Sequence, residues 1–97
     1  MQHLIEIGIN EEVINEIKDN NNELVITDLN FNYKKVKEIM DIFKSLNINN
    51  IDDYLIYKTD IFYYKPDYII EKFNKYEKEQ LIDLLKEDIN NIDEILN

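Results

Sequence analysis

The sequence predicts an all-α domain of about five to six short helices. Three observations carry that expectation. One Gly and one Pro in 97 residues leave few places for tight hairpins. Apolar residues recur mainly at three- and four-residue steps rather than in alternation. Leu, Ile, Val and Phe together make up 34 residues, enough to close a core in spite of a net charge of −10. Area scaling leaves about 5,900 Å² exposed when folded against about 17,000 Å² unfolded, so about two thirds of the surface is buried around one core. A single domain over 1–97 is expected.

Leu4, Ile5 and Ile7 form a brief first helix that Gly8 closes, because glycine takes the left-handed conformation at a helix end without a Cβ clash. Asn10 caps the next helix, Glu11 and Glu12 lie against its positive end, and Val13, Ile14 and Ile17 share its inner face. Asn20-Asn21-Asn22 ends it. Leu24-Val25-Ile26-Thr27-Asp28-Leu29 has strand-like chemistry, but a lone strand leaves its backbone groups unpaired, so the segment reads as a buried connector.

Asn32 caps the clearest helix, in which Val36, Ile39, Met40, Phe43 and Leu46 recur at helical spacing while Lys34, Lys35, Lys37 and Glu38 face out. Asn47 stands where it should stop. Ile51 to Lys58 is the next helix, opening on Asp52 and Asp53. Asp60 to Lys65 connects it to Pro66, which suits a first helical turn because its missing N–H has no partner there. From Asp67 to Asp88 one broad apolar face persists, as one long helix or as two broken near Asn74. Ile92 to Leu96 forms a last short helix.

Three junctions share a pattern: Gly8-Ile9-Asn10-Glu11-Glu12-Val13-Ile14, Asn47-Ile48-Asn49-Asn50-Ile51-Asp52-Asp53, and Asp88-Ile89-Asn90-Asn91-Ile92-Asp93-Glu94. Each combines a polar stop, an Ile under the turn, an Asn cap and acids on the new helix dipole. The spacing of about forty residues falls among the periods of stacked-helix repeats. It divides the chain into tandem units 9–47 and 48–88, stacked as a small bundle or solenoid, with a truncated capping unit at 89–97.

Residues 9–89 resemble the helical repeats of the mitochondrial transcription termination factor family, in which a short helix, a tight turn and a longer helix form each unit. The resemblance rests on Gly8-Ile9-Asn10-Glu11-Glu12-Val13-Ile14 and on Leu46-Asn47-Ile48, similar to that family's habit of ending the long helix at a small or polar residue. Asp60-Ile61-Phe62 stands near the family's Pro-x-Leu-Leu turn, without the proline. The resemblance implies a fold of stacked helical repeats. Family members bind nucleic acid through basic surfaces, and the acidic balance here departs from that.

Composition narrows the chemistry. Without cysteine there are no disulfides, thiolate nucleophiles or thiolate zinc sites, and a reducing compartment, the cytoplasm, is the expected home. Met1 to Gly8 carries no basic leader, and no stretch approaches the roughly 18 apolar residues of a membrane span. Residues 1–33 carry seven acids against Lys18, and 77–97 seven against Lys78 and Lys86. Both ends repel polyanions, and no Arg exists to fork onto a phosphate or a guanine.

Of the residues that could carry catalysis or hold a metal, none forms a persuasive set. His3 is the only histidine, so a zinc site would need distant carboxylates, and a surface role near the terminus suits it better. Asp19-Asn20-Asn21-Asn22-Glu23 opens like a calcium loop, but Leu24 takes the glycine position and Asn30 the bidentate glutamate position, leaving a polar helix exit. Glu11/Glu12 and Asp52/Asp53 are explained by first-turn dipoles, since adjacent helical residues point to different faces. Ser45 is the sole serine, and one glycine permits no phosphate loop. Leu81-Ile82-Asp83-Leu84-Leu85 matches a helix-in-groove motif that any amphipathic core helix produces. No catalytic residue, metal or cofactor is assigned.

Recognition chemistry concentrates in one place. Tyr54, Tyr57, Phe62, Tyr63, Tyr64 and Tyr68 fall within fifteen residues, beside Lys58 and Lys65, in the one region without strong negative charge. Tyrosine combines a large apolar body, a polar tip and low entropy cost, as recognition surfaces require. The bland alternative packs Tyr54, Phe62 and Tyr68 inward and lays the others over the core edge. The leading expectation is a non-enzymatic protein–protein interaction module that binds its partner through Tyr57, Lys58, Tyr63, Tyr64 and Lys65. A second is nucleic-acid binding through Lys34, Lys35 and Lys37, opposed by the overall field. A third reads the acidic ends as a decoy for a basic protein.

Overall fold

The computed structural model describes residues 2–97. Among the described residues eight α-helices follow one another in chain order: α1 (Gln2–Glu6), α2 (Glu11–Asn20), α3 (Leu24–Phe31), α4 (Tyr33–Ser45), α5 (Ile51–Tyr57), α6 (Pro66–Phe73), α7 (Lys78–Glu87) and α8 (Asn91–Ile95). A 3₁₀ turn, Thr59–Tyr63, joins α5 to α6, and there is no strand among the described residues. The all-α expectation holds, but the count of about five to six was too low. Short junctions, not long loops, separate the extra helices.

Two of the additional elements have clear causes. Leu24–Phe31 is a helix rather than a connector, because Val25, Ile26 and Leu29 then share one buried face and the backbone satisfies itself without a neighbour. Residues 67–88 divide into α6 and α7. Their apolar pattern continues unbroken, but at the break the Tyr76 N–H turns back to the Phe73 carbonyl at 3.1 Å and Glu77 goes extended (φ −65°, ψ 142°).

The signals at the other helix ends act only in part as expected: Asn10 and Pro66 do, whereas Asn50 and Asn90, at the starts of α5 and α8, make no side-chain cap bond. Asn10 is extended, and its Oδ1 accepts from the Val13 N–H at 3.0 Å, the expected cap of α2. Lys65 is extended ahead of Pro66, which starts α6. Asn32 differs from expectation: its Nδ2 donates back to the Asp28 carbonyl at 2.8 Å, closing α3 rather than capping α4.

Gly8 (φ 103°) and Asn47 (φ 57°) hold left-handed backbone at matching stops. At the first, the Gly8 N–H donates to Ile5 and the Ile9 N–H to Leu4; at the second, Asn47 donates to Lys44 and Ile48 to Phe43. Both are complete Schellman motifs. Ile9 and Ile48 are buried beneath them, as are Leu4 and Phe43. The third junction lacks the device: Asp88 is extended (φ −155°) and Ile89 only half-buried.

Phe43 of α4 is the hub of the core. Its ring meets Tyr54 of α5 edge-on at 4.9 Å, with Phe62 at 6.2 Å and Phe73 at 6.0 Å. Around this centre α2 packs on α3 and α5, α1 on α3, and α4 on α6 and the 3₁₀ turn, while α7 carries α8. The molecule exposes 6127 Å² with a radius of gyration of 12.9 Å, close to the roughly 5,900 Å² and 13 Å expected of a single-core domain of this size.

Candidate interaction surface

The 3₁₀ turn and its exit sort the aromatic cluster. Tight winding rotates successive side chains by about 120° as far as Tyr63, and Tyr64 then leaves the turn in extended backbone, so neighbours in sequence face different surroundings. Phe62 is fully buried, as is Tyr54 on α5. Tyr63 is half-buried, its hydroxyl 3.5 Å from the Val25 carbonyl of α3, and burial followed by the nearby Asp28 charge raises its pKa above the usual tyrosine value. Tyr64, by contrast, leans outward and meets Tyr68 of α6 edge-on at 5.5 Å and 86°.

Tyr64 and Tyr68 are each 38% exposed, and both rings line two adjoining shallow hollows. One, of about 380 Å³, is completed by Lys65. The other, of about 340 Å³, also takes in Asp60, Ile61, Asp93 and Leu96. Basic and acidic groups therefore flank the same aromatic pair. Tyr57 is more exposed, at 57%, on α5. Lys58 bonds Asp93 at 2.7 Å, so its charge is engaged across to α8.

The same surface secures the last helix. The Tyr68 hydroxyl donates to the Leu96 carbonyl at 2.7 Å, and Lys72 Nζ donates to the Asn97 backbone oxygen at 3.2 Å while standing 5.3 Å from the Tyr68 ring. Of the five residues expected to form one partner surface, the fold thus sets Tyr64 and Lys65 together with Tyr68. Tyr63 is turned against α3, Lys58 is paired, and Tyr57 is exposed on the preceding helix.

The lysines of the nucleic-acid alternative are dispersed in role. Lys34 is exposed, Lys35 Nζ lies 3.5 Å from the Tyr63 carbonyl, and Lys37 bonds Asp41 at 2.9 Å. His3 stacks on Tyr33 at 4.2 Å with its Nδ1 3.5 Å from Glu6. In the Asn20–Asn22 run, Asn20 and Asn21 donate their side-chain amides to the Glu16 and Ile17 carbonyls, the bonding of a helix exit. Leu81 and Leu85 are buried and Leu84 is half-buried, so the Leu-x-x-Leu-Leu stretch faces the core. No group of three or more His, Cys, Asp or Glu side chains that could hold a metal ion occurs among the described residues.

Sequence reasoning missed a second apolar feature. Phe31 is 85% exposed and Leu24 68%, both on α3. Seven residues apart, they return to the same helical face. The i, i+7 spacing was visible in the sequence, but only a segment already recognised as helical gives it meaning.

Fold and surface together define a small acidic all-helical domain with aromatic side chains presented to solvent. Compared with protein-family models, curated proteins and solved structures, the chain matches none.

Proposed function

We propose that this chain is a non-enzymatic protein-binding module whose partner is held by the tyrosine shoulder of Tyr64, Lys65 and Tyr68, with the exposed Tyr57 of α5 as a further contact. The supporting observation is the Tyr64–Tyr68 pair: two rings braced edge-to-face, partly exposed, and lining two hollows. Bracing lowers the entropy cost of binding, because rings already held in place lose little freedom when covered. Lys58 supports the surface from its edge through Asp93, and Tyr63 underpins it through α3.

A tandem-repeat organisation is the finer reading of the fold. It is supported by the paired Schellman stops at Gly8–Ile9 and Asn47–Ile48, and by α2 packing on α5, the helices that follow them. The same two stops carry the resemblance to the mitochondrial termination-factor repeats. No helix among the described residues is long and apolar enough to cross a membrane, and we place the module in the cytoplasm on its lack of cysteine.

Quantitative affinity capture from the native host tests the proposal, comparing wild type with the double variant Tyr57→Ala/Tyr64→Ala. Both side chains are exposed enough to remove without unfolding the domain, which circular dichroism verifies. Loss of a specific captured protein is expected. Equal capture by the variant overturns the assignment of this surface.

A further inference from the structure

Three helices leave a gap on the side of the molecule where the chain turns from α6 to α7. α4 packs on α6, whereas α7 rests mainly on α8, and a bay of about 310 Å³ stays open between them. Phe73 of α6 and Leu81 of α7, both buried, form its floor. Its walls are Ile42 and Leu46 at the end of α4, both half-buried, and Ile70 of α6, which is 42% exposed. Small-molecule sites take this form, with apolar walls, few polar groups and volumes from roughly 300 Å³ upwards. A bay at the lower end of that range suits one ring or a short acyl chain.

The polar side of the bay specifies the other end of such a molecule. Lys78, on the first turn of α7, is the only charged residue in the lining. It belongs to none of the three ion pairs formed among the described residues. Its sequence neighbours Glu77 and Glu79 are exposed and line no part of the bay. The remaining polar residues, Ser45, Asn74 and Tyr76, are neutral, and the Ser45 hydroxyl is already spent on the Ile42 carbonyl at 2.6 Å. An ammonium beside apolar walls interacts more strongly with an anionic group than it does in open water, because the local dielectric is lower. The net charge of −10 opposes an anion at long range. Physiological salt screens that field beyond about 8 Å, whereas contact with Lys78 is local.

We propose that the bay between α4, α6 and α7 binds a small amphiphilic carboxylate, its apolar body covering Ile42, Leu46, Ile70 and Phe73 and its carboxylate meeting Lys78. The site shares no residue with the hollows at Tyr64 and Tyr68, so it stands or falls apart from the tyrosine shoulder. It gives the domain a small-ligand site in addition to a protein-binding surface.

The test titrates the full chain, isotopically labelled, with octanoate, and with octanamide and octylammonium as neutral and cationic counterparts. Saturable amide shifts confined to residues 42–46, 70–74 and 78–81 are expected with octanoate, and binding of octylammonium at least about tenfold weaker. Lys78 is exposed, so Lys78→Gln leaves the fold intact; it should weaken octanoate about tenfold and abolish the preference for octanoate over octanamide, while Lys78→Arg keeps both. Ile70→Glu, which sets a carboxylate in the wall, should abolish octanoate binding with the circular dichroism unchanged. Tyr57→Ala/Tyr64→Ala should leave it unaltered. Absence of saturation, equal affinity for octylammonium, undiminished binding by Lys78→Gln, or shifts centred elsewhere overturns the proposal.

Discussion

Tyr54 joins parts of the chain that are far apart in sequence. Its ring packs edge-on against Phe43, and its hydroxyl donates to the Leu85 carbonyl near the end of α7 at 2.6 Å. That carbonyl has one other neighbour, Asn50 Nδ2 at 3.5 Å, while Asn50 Oδ1 is itself buried without a partner among the described residues. Removing the hydroxyl leaves the acceptor poorly served. Tyr54→Phe is therefore expected to cost about 1 kcal/mol, or roughly 4–8 °C in Tm, by thermal denaturation. The same residue makes stability depend on alkaline pH. Burial first, then the charges of Asp88 and Asp53, push its hydroxyl up to about 12 from 10.0. Below pH 10 both folded and unfolded chains keep the proton, and the contribution is complete. Between about 10 and about 12 the unfolded chain alone releases it, so stability falls as pH rises. Unfolding curves across this window should be flatter for Tyr54→Phe than for wild type.

Helix ends carry the corresponding argument for elements. A Cβ added at Gly8 meets nothing within 4 Å, so the cost of Gly8→Ala is torsional, about 1–2 kcal/mol for an L-residue at positive φ. Asn47→Ala is expected to lose about 1 kcal/mol for the same reason, and Asn47→Gly less than about 0.5. Urea midpoints at unchanged m-value measure all three. These stops were legible because Gly and Asn favour left-handed backbone, as were the Asn10 cap and the Pro66 start. α3 was not, because Leu24 and Phe31 on its exposed face, opposite buried Val25, Ile26 and Leu29, blur the polar side from which helical period is read. The break between α6 and α7 is ambiguous in sequence because Asn74 to Glu77 contains neither Gly nor Pro. Within the candidate surface, composition identified the aromatic residues but not the separation of Tyr63 from Tyr64, which arises where the backbone leaves the 3₁₀ turn and goes extended at Tyr64 (φ −71°, ψ 157°).

For the molecule as a whole, charge is the dominant unspent term. Twenty-one carboxylates face eleven lysines, and three ion pairs, one of them through His3, are formed among the described residues. Self-repulsion therefore opposes the compact state, and screening relieves it. Raising NaCl from 10 to 200 mM is expected to increase Tm, by several degrees in a thermal melt; an unchanged or lower Tm would mean the charges are locally compensated. Carboxylates were legible as surface residues from sequence, whereas the exposure of Phe31 and Leu24 was not. That exposure matters for handling the protein. While the acids stay ionised, copies keep their distance and the greasy face is harmless. Acidification towards the isoelectric point removes this barrier, so precipitation on mild acidification is built into the same patch.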